Sequence, residues 1–166
     1  MPASDQGVNL DRYMLVPRTL IFLTQARNIL LLKGASTKRL WAGLYNGVGG
    51  HIEQGEDVLT AARRELFEET GLTQVDLWLC GIVTVDTSTN PGVGIFVFKG
   101  ECLDSSPVVS REGDLKWFEI SDVYSLPLVA DLPLLLPKIL AHKSGLPPFS
   151  AHSWYDESGS LVVKFT

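Results

Sequence analysis

Three glutamates stand close together in the stretch RRELFEETGL: Glu65, Glu68 and Glu69. Residues three and four apart are neighbours on a helix, so the three carboxylates crowd one face. Like charges at that spacing cost an isolated helix about 0.2–0.5 kcal/mol per pair. Arg64 can offset part of this by pairing with Glu68, but it cannot neutralise three carboxylates. On a wheel of about 100° per residue, Glu68 and Glu69 fall on either side of Glu65, and a stripe of Leu59, Ala62 and Leu66 lies just beyond Glu69. The carboxylates therefore border the buried face. An acidic helix is more often a solvated surface, but a border position desolvates the charges and strengthens their repulsion unless a cation is present. Hard oxygen ligands with no Cys or His beside them suit Mg²⁺ or Mn²⁺, not zinc. The spacing points to metal-bound phosphate chemistry.

The segment leading into this helix, NGVGGHIEQGE, carries Gly47, Gly49, Gly50 and Gly55. Such a segment can turn sharply and bring its own carbonyls and amides against a ligand or metal. Tight turns are common everywhere; the value of this one is that it runs directly into the carboxylate helix.

The elements that must position these residues follow from pattern. RYMLVPRTLIFLTQ and NILLLKG read as strands separated by a turn near Ala26–Asn28. GASTKRLWAGLYNGVGG reads as a loop running into a short strand. EDVLTAARRELFEETGL reads as a helix, with Glu56 and Asp57 near its start and Gly71 placed to stop it. VDLWLCGIVTVDT and VGIFVFKGEC are strand-like around the turn cluster STNPG, and LKWFEI is another short strand. DLPLLLPKILAHK reads as a second helix: Pro133 is tolerable in its first turn, while Pro137 predicts a kink or a later start. AHSWYDESGSLVVKF reads as a hairpin around Glu157–Gly159. This order predicts an α/β (α+β) protein with a mixed β-sheet and helices packed on it. No repeat, linker or low-complexity segment interrupts it, so residues 1–166 are expected to form one domain, with 1–11 as a flexible N-terminus.

The chain has 166 residues, 45% hydrophobic and 20% charged, the composition of an ordinary globular domain. A formal net charge of −5 argues against binding a nucleic-acid polymer. It leaves room for a small anionic substrate, because a bound metal inverts the local charge. The N-terminus lacks a basic start followed by an apolar run, and no apolar stretch is long enough to span a membrane. Cys80 and Cys102 lie in strand-like segments and read as reduced core residues. A cytoplasmic location is expected; nothing in the sequence excludes a homodimer.

Residues Gly50 to Leu72, GHIEQGEDVLTAARRELFEETGL, resemble a complete Nudix box. The family pattern is Gly, five residues, Glu, seven residues, then Arg-Glu-aliphatic-any-Glu-Glu-any-Gly-aliphatic. Gly50, Glu56, Arg64, Glu65, Leu66, Glu68, Glu69, Gly71 and Leu72 all match it. The resemblance implies the Nudix α/β/α sandwich and hydrolysis of a nucleoside diphosphate linked to another group, with a divalent metal. It assigns Glu65, Glu68 and Glu69 to metal binding or water activation, and a carbonyl near Gly49–Gly50 to the metal shell. Arg64 would orient the glutamates, and Glu56 would support the loop and helix.

Outside the box the likeness is narrower. LYNGVGG resembles a stretch in Nudix enzymes that clean oxidised purine nucleoside triphosphates; Asn46 would read the base, with Tyr45 in place of a Trp. The competing reading of Asn46 is a turn residue before glycine. Those enzymes also place an aspartate pair and an aromatic residue against the base. Here Asp131 stands alone, with Leu128 and Val129 where the aromatic is expected, and a helix N-cap explains Asp131 slightly better. Glu112, a few residues before Trp117, would complete the metal shell or act as the base; otherwise it is an exposed loop charge. Lys33, Lys38 and Arg39 would meet phosphates or stay solvated.

Two functions of different class fit. One is a Mg²⁺-dependent pyrophosphohydrolase acting on a purine nucleoside triphosphate such as 8-oxo-dGTP, with ADP-ribose or another nucleoside diphosphate sugar as the rival substrate. The other is a nucleotide-sensing Nudix module without turnover. The intact set of box carboxylates favours the enzyme. The chain has no Walker-type Gly-Lys-Ser/Thr loop, so γ-phosphate cleavage is not expected.

Overall fold

The computed structural model describes residues 2–9, 11–35, 41–102 and 113–166. Glu112, Lys38 and Arg39 lie outside them. Eight strands form one mixed sheet: β1 (Leu15–Gln25), β2 (Asn28–Gly34), β3 (Tyr45–Asn46), β4 (Leu77–Val85), β5 (Gly92–Glu101), β6 (Gly113–Glu119), β7 (Phe149–Tyr155) and β8 (Leu161–Phe165). Two helices, α1 (Val58–Thr70) and α2 (Leu132–Ala141), complete the fold. The strand order is β3-β2-β1-β5-β4-β7-β8, with β6 added along β2. β1 runs parallel to β5, and β4 parallel to β7; the other strand pairs are antiparallel.

Period-2 alternation gives the sheet two apolar faces. Ile21 and Leu23 of β1 join Leu30, Phe98 and Ala62 and Leu66 of α1 on one side. Phe22, Ile29, Leu31, Val83 and Val97 join Leu132, Leu135, Leu136 and Ile139 of α2 on the other. The expected α/β/α sandwich is therefore present, one helix per face. No helix among the described residues is long and apolar enough to cross a membrane.

Helix ends follow local chemistry. Asp57 caps α1, its Oδ1 accepting from Leu59 N at 2.9 Å and Thr60 N at 3.0 Å. Gly71 stops it at φ 74°, in the left-handed region where a Cβ is penalised. α2 keeps Pro137 inside it. Proline there forgoes one helical hydrogen bond, and burial of the four apolar side chains holds the helix together across that gap. At its far end, the buried Lys99 donates from Nζ to Leu140 O and His142 O, each at 2.9 Å. A cation at a helix C-terminus meets the negative end of the macrodipole. Cys80 is a buried free thiol, and burial pushes it up to about 12, leaving it an inert core residue.

The detail that builds the site is a split between β1 and β2. They pair only at the turn, through Thr24–Ile29 and Gln25–Asn28. Beyond it they separate, and the segment 45–51 fills the gap. Tyr45 and Asn46 pair with Lys33 and Leu32 of β2, while Val48 and His51 bridge to Ile21 and Arg18 of β1. A cleft opens where the sheet divides.

Candidate active site

The glycine segment is tied to β1 by Thr19 N donating to Gly50 O at 2.9 Å and Ile21 N donating to Val48 O at 2.7 Å. This close approach needs missing side chains. A Cβ on Gly49 would run into the Thr19 carbonyl, and a Cβ on Gly50 would overlap the Glu65 carboxylate. Glu65 thus packs directly on the Gly50 backbone.

The three glutamates grade from core to solvent. Glu69 is 3% exposed, the Glu65 side chain 14%, and the Glu68 side chain 55%. Glu69 Oε2 accepts from Gly49 N at 3.3 Å. Arg64 commits all its donors locally: Nε and Nη2 to Glu56 at 2.7 and 2.9 Å, Nη1 to Glu65 at 2.7 Å and Glu68 at 3.2 Å, and Nη2 to His51 O at 3.0 Å. One guanidinium therefore fixes the loop, the helix start and two of the three carboxylates. It holds Glu65 by Oε1 and Glu68 by Oε2, leaving the other oxygen of each clear of it. Glu56, just ahead of the helix, is also held by Glu53 N at 3.0 Å.

The Arg64 hydrogen bond, with help from the Glu53 amide, lowers the Glu56 carboxyl to about 2 from 4.5. The folded value lies below the unfolded one. The contribution to stability is thus complete above pH 4.5 and lost as the pH falls toward 2. In urea denaturation across that range, the wild type should lose stability more steeply than Glu56→Gln. Equal slopes would mean that the pair does not persist in solution.

Beside the carboxylates lies a cleft of about 450 Å³, within the range of small-molecule sites. Gly49 and Glu69 are among its lining residues. Leu20, Leu32, Val93 and Ile95 give it apolar walls, and Arg18, Asn46, Asp131 and Ser153 place polar groups along it. Asp131 arrives there through backbone pairing: Tyr45 N donates to Pro127 O at 2.8 Å and Val129 N to Tyr45 O at 3.1 Å.

Asp131 occupies the N-cap position of α2, yet its side chain makes no capping hydrogen bond. It lines the cleft instead, and burial pushes its carboxyl upward. The N-cap role favoured by sequence is thus replaced by a cleft-facing carboxyl. Asn46 takes the expected turn contact, accepting from Gly47 N through Oδ1 at 2.8 Å, and it also lines the cleft. Tyr45 does not line it. Alternation turns its ring into the core, 8% exposed and edge-on to Phe118 at 5.1 Å. Lys33, opposite Tyr45 on β2, rests its Nζ 5.6 Å from that ring and is likewise outside the cleft lining. Arg18 and Trp41 are cleft residues the pattern reading passed over. The available signal was an arginine inside an otherwise apolar strand.

A carboxylate helix packed against a glycine segment, on an α/β/α sandwich with an adjoining cleft, defines the Nudix class. The NUDIX domain pattern matches residues 14–139, and the chain belongs to this family of hydrolases. The chain is 30% identical over 145 residues to the oxidized purine nucleoside triphosphate hydrolase of Mus musculus, covering 87% of this chain and 89% of that one. To the protein of the same name from Danio rerio it is 32% identical over 126 residues, covering 75% and 80%. Among solved structures, the MutT protein of Bacillus halodurans superposes with a TM-score of 0.75 at 24% identity, over 91% of this chain and 97% of that one.

The donors fit a divalent cation of the kind Nudix hydrolases generally use. They are carboxylate and backbone oxygens, the Gly50 backbone leaves the space that the Glu65 carboxylate occupies, and Glu69 is a buried residue of the cleft lining. Among the described residues, no three acidic, His or Cys side chains already converge as a complete cation site. Arg64 holds Glu65 and Glu68 in place.

Proposed function

We propose that the protein is a Mg²⁺- or Mn²⁺-dependent pyrophosphohydrolase converting a purine nucleoside triphosphate, oxidised forms such as 8-oxo-dGTP included, to the monophosphate and pyrophosphate. The observation that carries this reading is the continuity of the cleft. Asn46 and Asp131 line it together with Glu69 of the carboxylate helix and Gly49. A base in the cleft would leave its phosphates beside the carboxylate helix. The names of the mouse and zebrafish relatives support the same substrate class.

In this reading Glu65, Glu68 and Glu69, with backbone oxygens of Gly49 and Gly50, hold the cation. Bound there, the cation supplies charge neutralisation on the phosphates and a more acidic water. Arg64 orients Glu65 and Glu68. One of the three glutamates, or Glu112, accepts the proton of the attacking water. Asn46 offers its amide, and Asp131 its carboxyl, to the base edge, where a purine presents both donors and acceptors.

Asp131 provides the test of the substrate reading. An acid with a raised folded-state pKa opposes folding once the pH passes its unfolded value. Asp131→Asn should therefore raise the melting temperature of the empty protein at pH 7. It should also raise KM for the preferred purine triphosphate by roughly tenfold or more, and Asn46→Ala should reorder the ranking of bases. An unchanged ranking of oxidised and normal purine triphosphates in both variants would remove these residues from base recognition.

A further inference from the structure

Among the described residues, Arg18 makes no ion pair. It sits on β1, half-buried, and lines the cleft with Gly49 and Glu69. Among the described residues its guanidinium has no hydrogen-bond or ion-pair partner; its one close companion is the Trp41 ring, 5.2 Å from the guanidinium carbon. That distance is within cation–π range. Arg64, by contrast, pairs with the carboxylates of Glu56, Glu65 and Glu68. Desolvating a guanidinium without a counter-charge is unfavourable, and burial does lower the Arg18 pKa, opposed by the field of Glu65.

The companion residue is held at a backbone cost. Trp41 has φ 60°, a left-handed conformation that a bulky residue rarely takes. The surroundings enforce it. Gly43 N donates to Gly34 O at 2.9 Å, Gly34 N to Leu44 O at 3.0 Å and Leu44 N to Trp41 O at 3.0 Å. A Cβ on Gly34 would collide with the Trp41 carbonyl. Strain maintained by a turn beside a cleft is the pattern of a pre-organised ligand contact. The ring remains 42% exposed, so it has not been spent on the core.

Position says what the guanidinium meets. Arg18 is the strand neighbour of His51, whose carbonyl is gripped by Arg64. It therefore stands beside the same glycine segment on which Glu65 packs, at the junction of cleft and carboxylate helix. We infer that Arg18, steadied on the face of Trp41, binds the nucleotide phosphate nearest the nucleoside. A planar fork of donors matches phosphate oxygens, and an acceptor there would give the guanidinium the hydrogen-bonded partner it lacks among the described residues. This assignment rests on the reading that the cleft holds a nucleotide.

The test separates the phosphate from the rest of the ligand. Binding of dGMP and deoxyguanosine, and of AMP and adenosine, is measured by titration calorimetry on the full chain in EDTA, so that no cation contributes. Wild type should bind at least one monophosphate more tightly than its nucleoside, by roughly ten- to a hundredfold. Arg18→Gln should erase that ratio while leaving nucleoside affinity unchanged. Arg18→Lys, which keeps the charge but not the fork, should restore part of it, and Trp41→Leu should reduce it. In turnover, Arg18→Gln should act mainly on KM. A monophosphate-to-nucleoside ratio equal in wild type and Arg18→Gln would overturn the assignment. Should only the adenosine pair bind, the guanine part of the substrate reading weakens, and the same ratio still judges Arg18. Should neither pair bind to wild type, the assignment falls together with the reading beneath it.

Discussion

Glu69→Gln is expected to lower kcat by about 10²–10⁴-fold, the span associated with losing a positioned acid or base, while the protein stays folded. Glu69 is the most buried of the three carboxylates at 3% exposure, it accepts from the Gly49 amide, and it lines the cleft. Glutamine keeps the length of the side chain and an oxygen for that amide, but it loses the charge. Removing one of several crowded negative charges should even stabilise the cation-free protein, by up to about 0.5 kcal/mol. Glu68→Gln should impair turnover in the same direction. The measurement is turnover with excess Mg²⁺ beside a thermal melt. Near-normal rates in both variants would remove the carboxylate helix from the chemistry.

Gly50→Ala should be nearly as damaging for a different reason. The added methyl would occupy the space of the Glu65 carboxylate, so the side chain must swing away while Arg64 still holds its Oε1. Misplacing a reacting or ligating group by about 1 Å is enough to cost on the order of 10²-fold in rate. Gly50 does not have the positive φ that Gly49 has at 150°, so alanine is compatible with the backbone and the lesion is confined to the carboxylate. The diagnostic signature is a fall in kcat with a raised requirement for Mg²⁺ and a small change in melting temperature. A large loss of stability with normal kcat in the folded fraction would show that the contact serves the loop and not the carboxylate.

The two halves of this site differ in how far the sequence discloses them. The carboxylate helix is a local object. Its apolar stripe, its acidic border, Asp57 at one end and Gly71 at the other all act over a few residues, so spacing alone places Glu69 toward the core and Glu68 toward water. The cleft is a long-range object. It exists because β1 and β2 separate after two residue pairs, and because Tyr45 pairs with the backbone of Pro127–Val129 far along the chain. No local pattern announces either event. That is why Asp131 reads as a helix cap in sequence and faces the cleft in structure. Tyr45 errs in the opposite direction: its neighbour Asn46 lines the cleft, and alternation along the strand sends Tyr45 into the core. Pro137 predicts a kink or a later helix start, yet α2 already begins at Leu132 and includes it, its apolar side chains buried against the sheet.

The proposed chemistry is defined by which bond breaks. Wild-type protein with Mg²⁺ should be incubated with normal and 8-oxo purine nucleoside triphosphates and with ADP-ribose, and the products resolved by ion-exchange chromatography. The expected result is nucleoside monophosphate and pyrophosphate in equal amounts from a purine triphosphate, no free orthophosphate, and no product in EDTA. Orthophosphate with nucleoside diphosphate would contradict the proposed chemistry, and inert triphosphates beside ADP-ribose cleaved to AMP and ribose phosphate would contradict the proposed substrate.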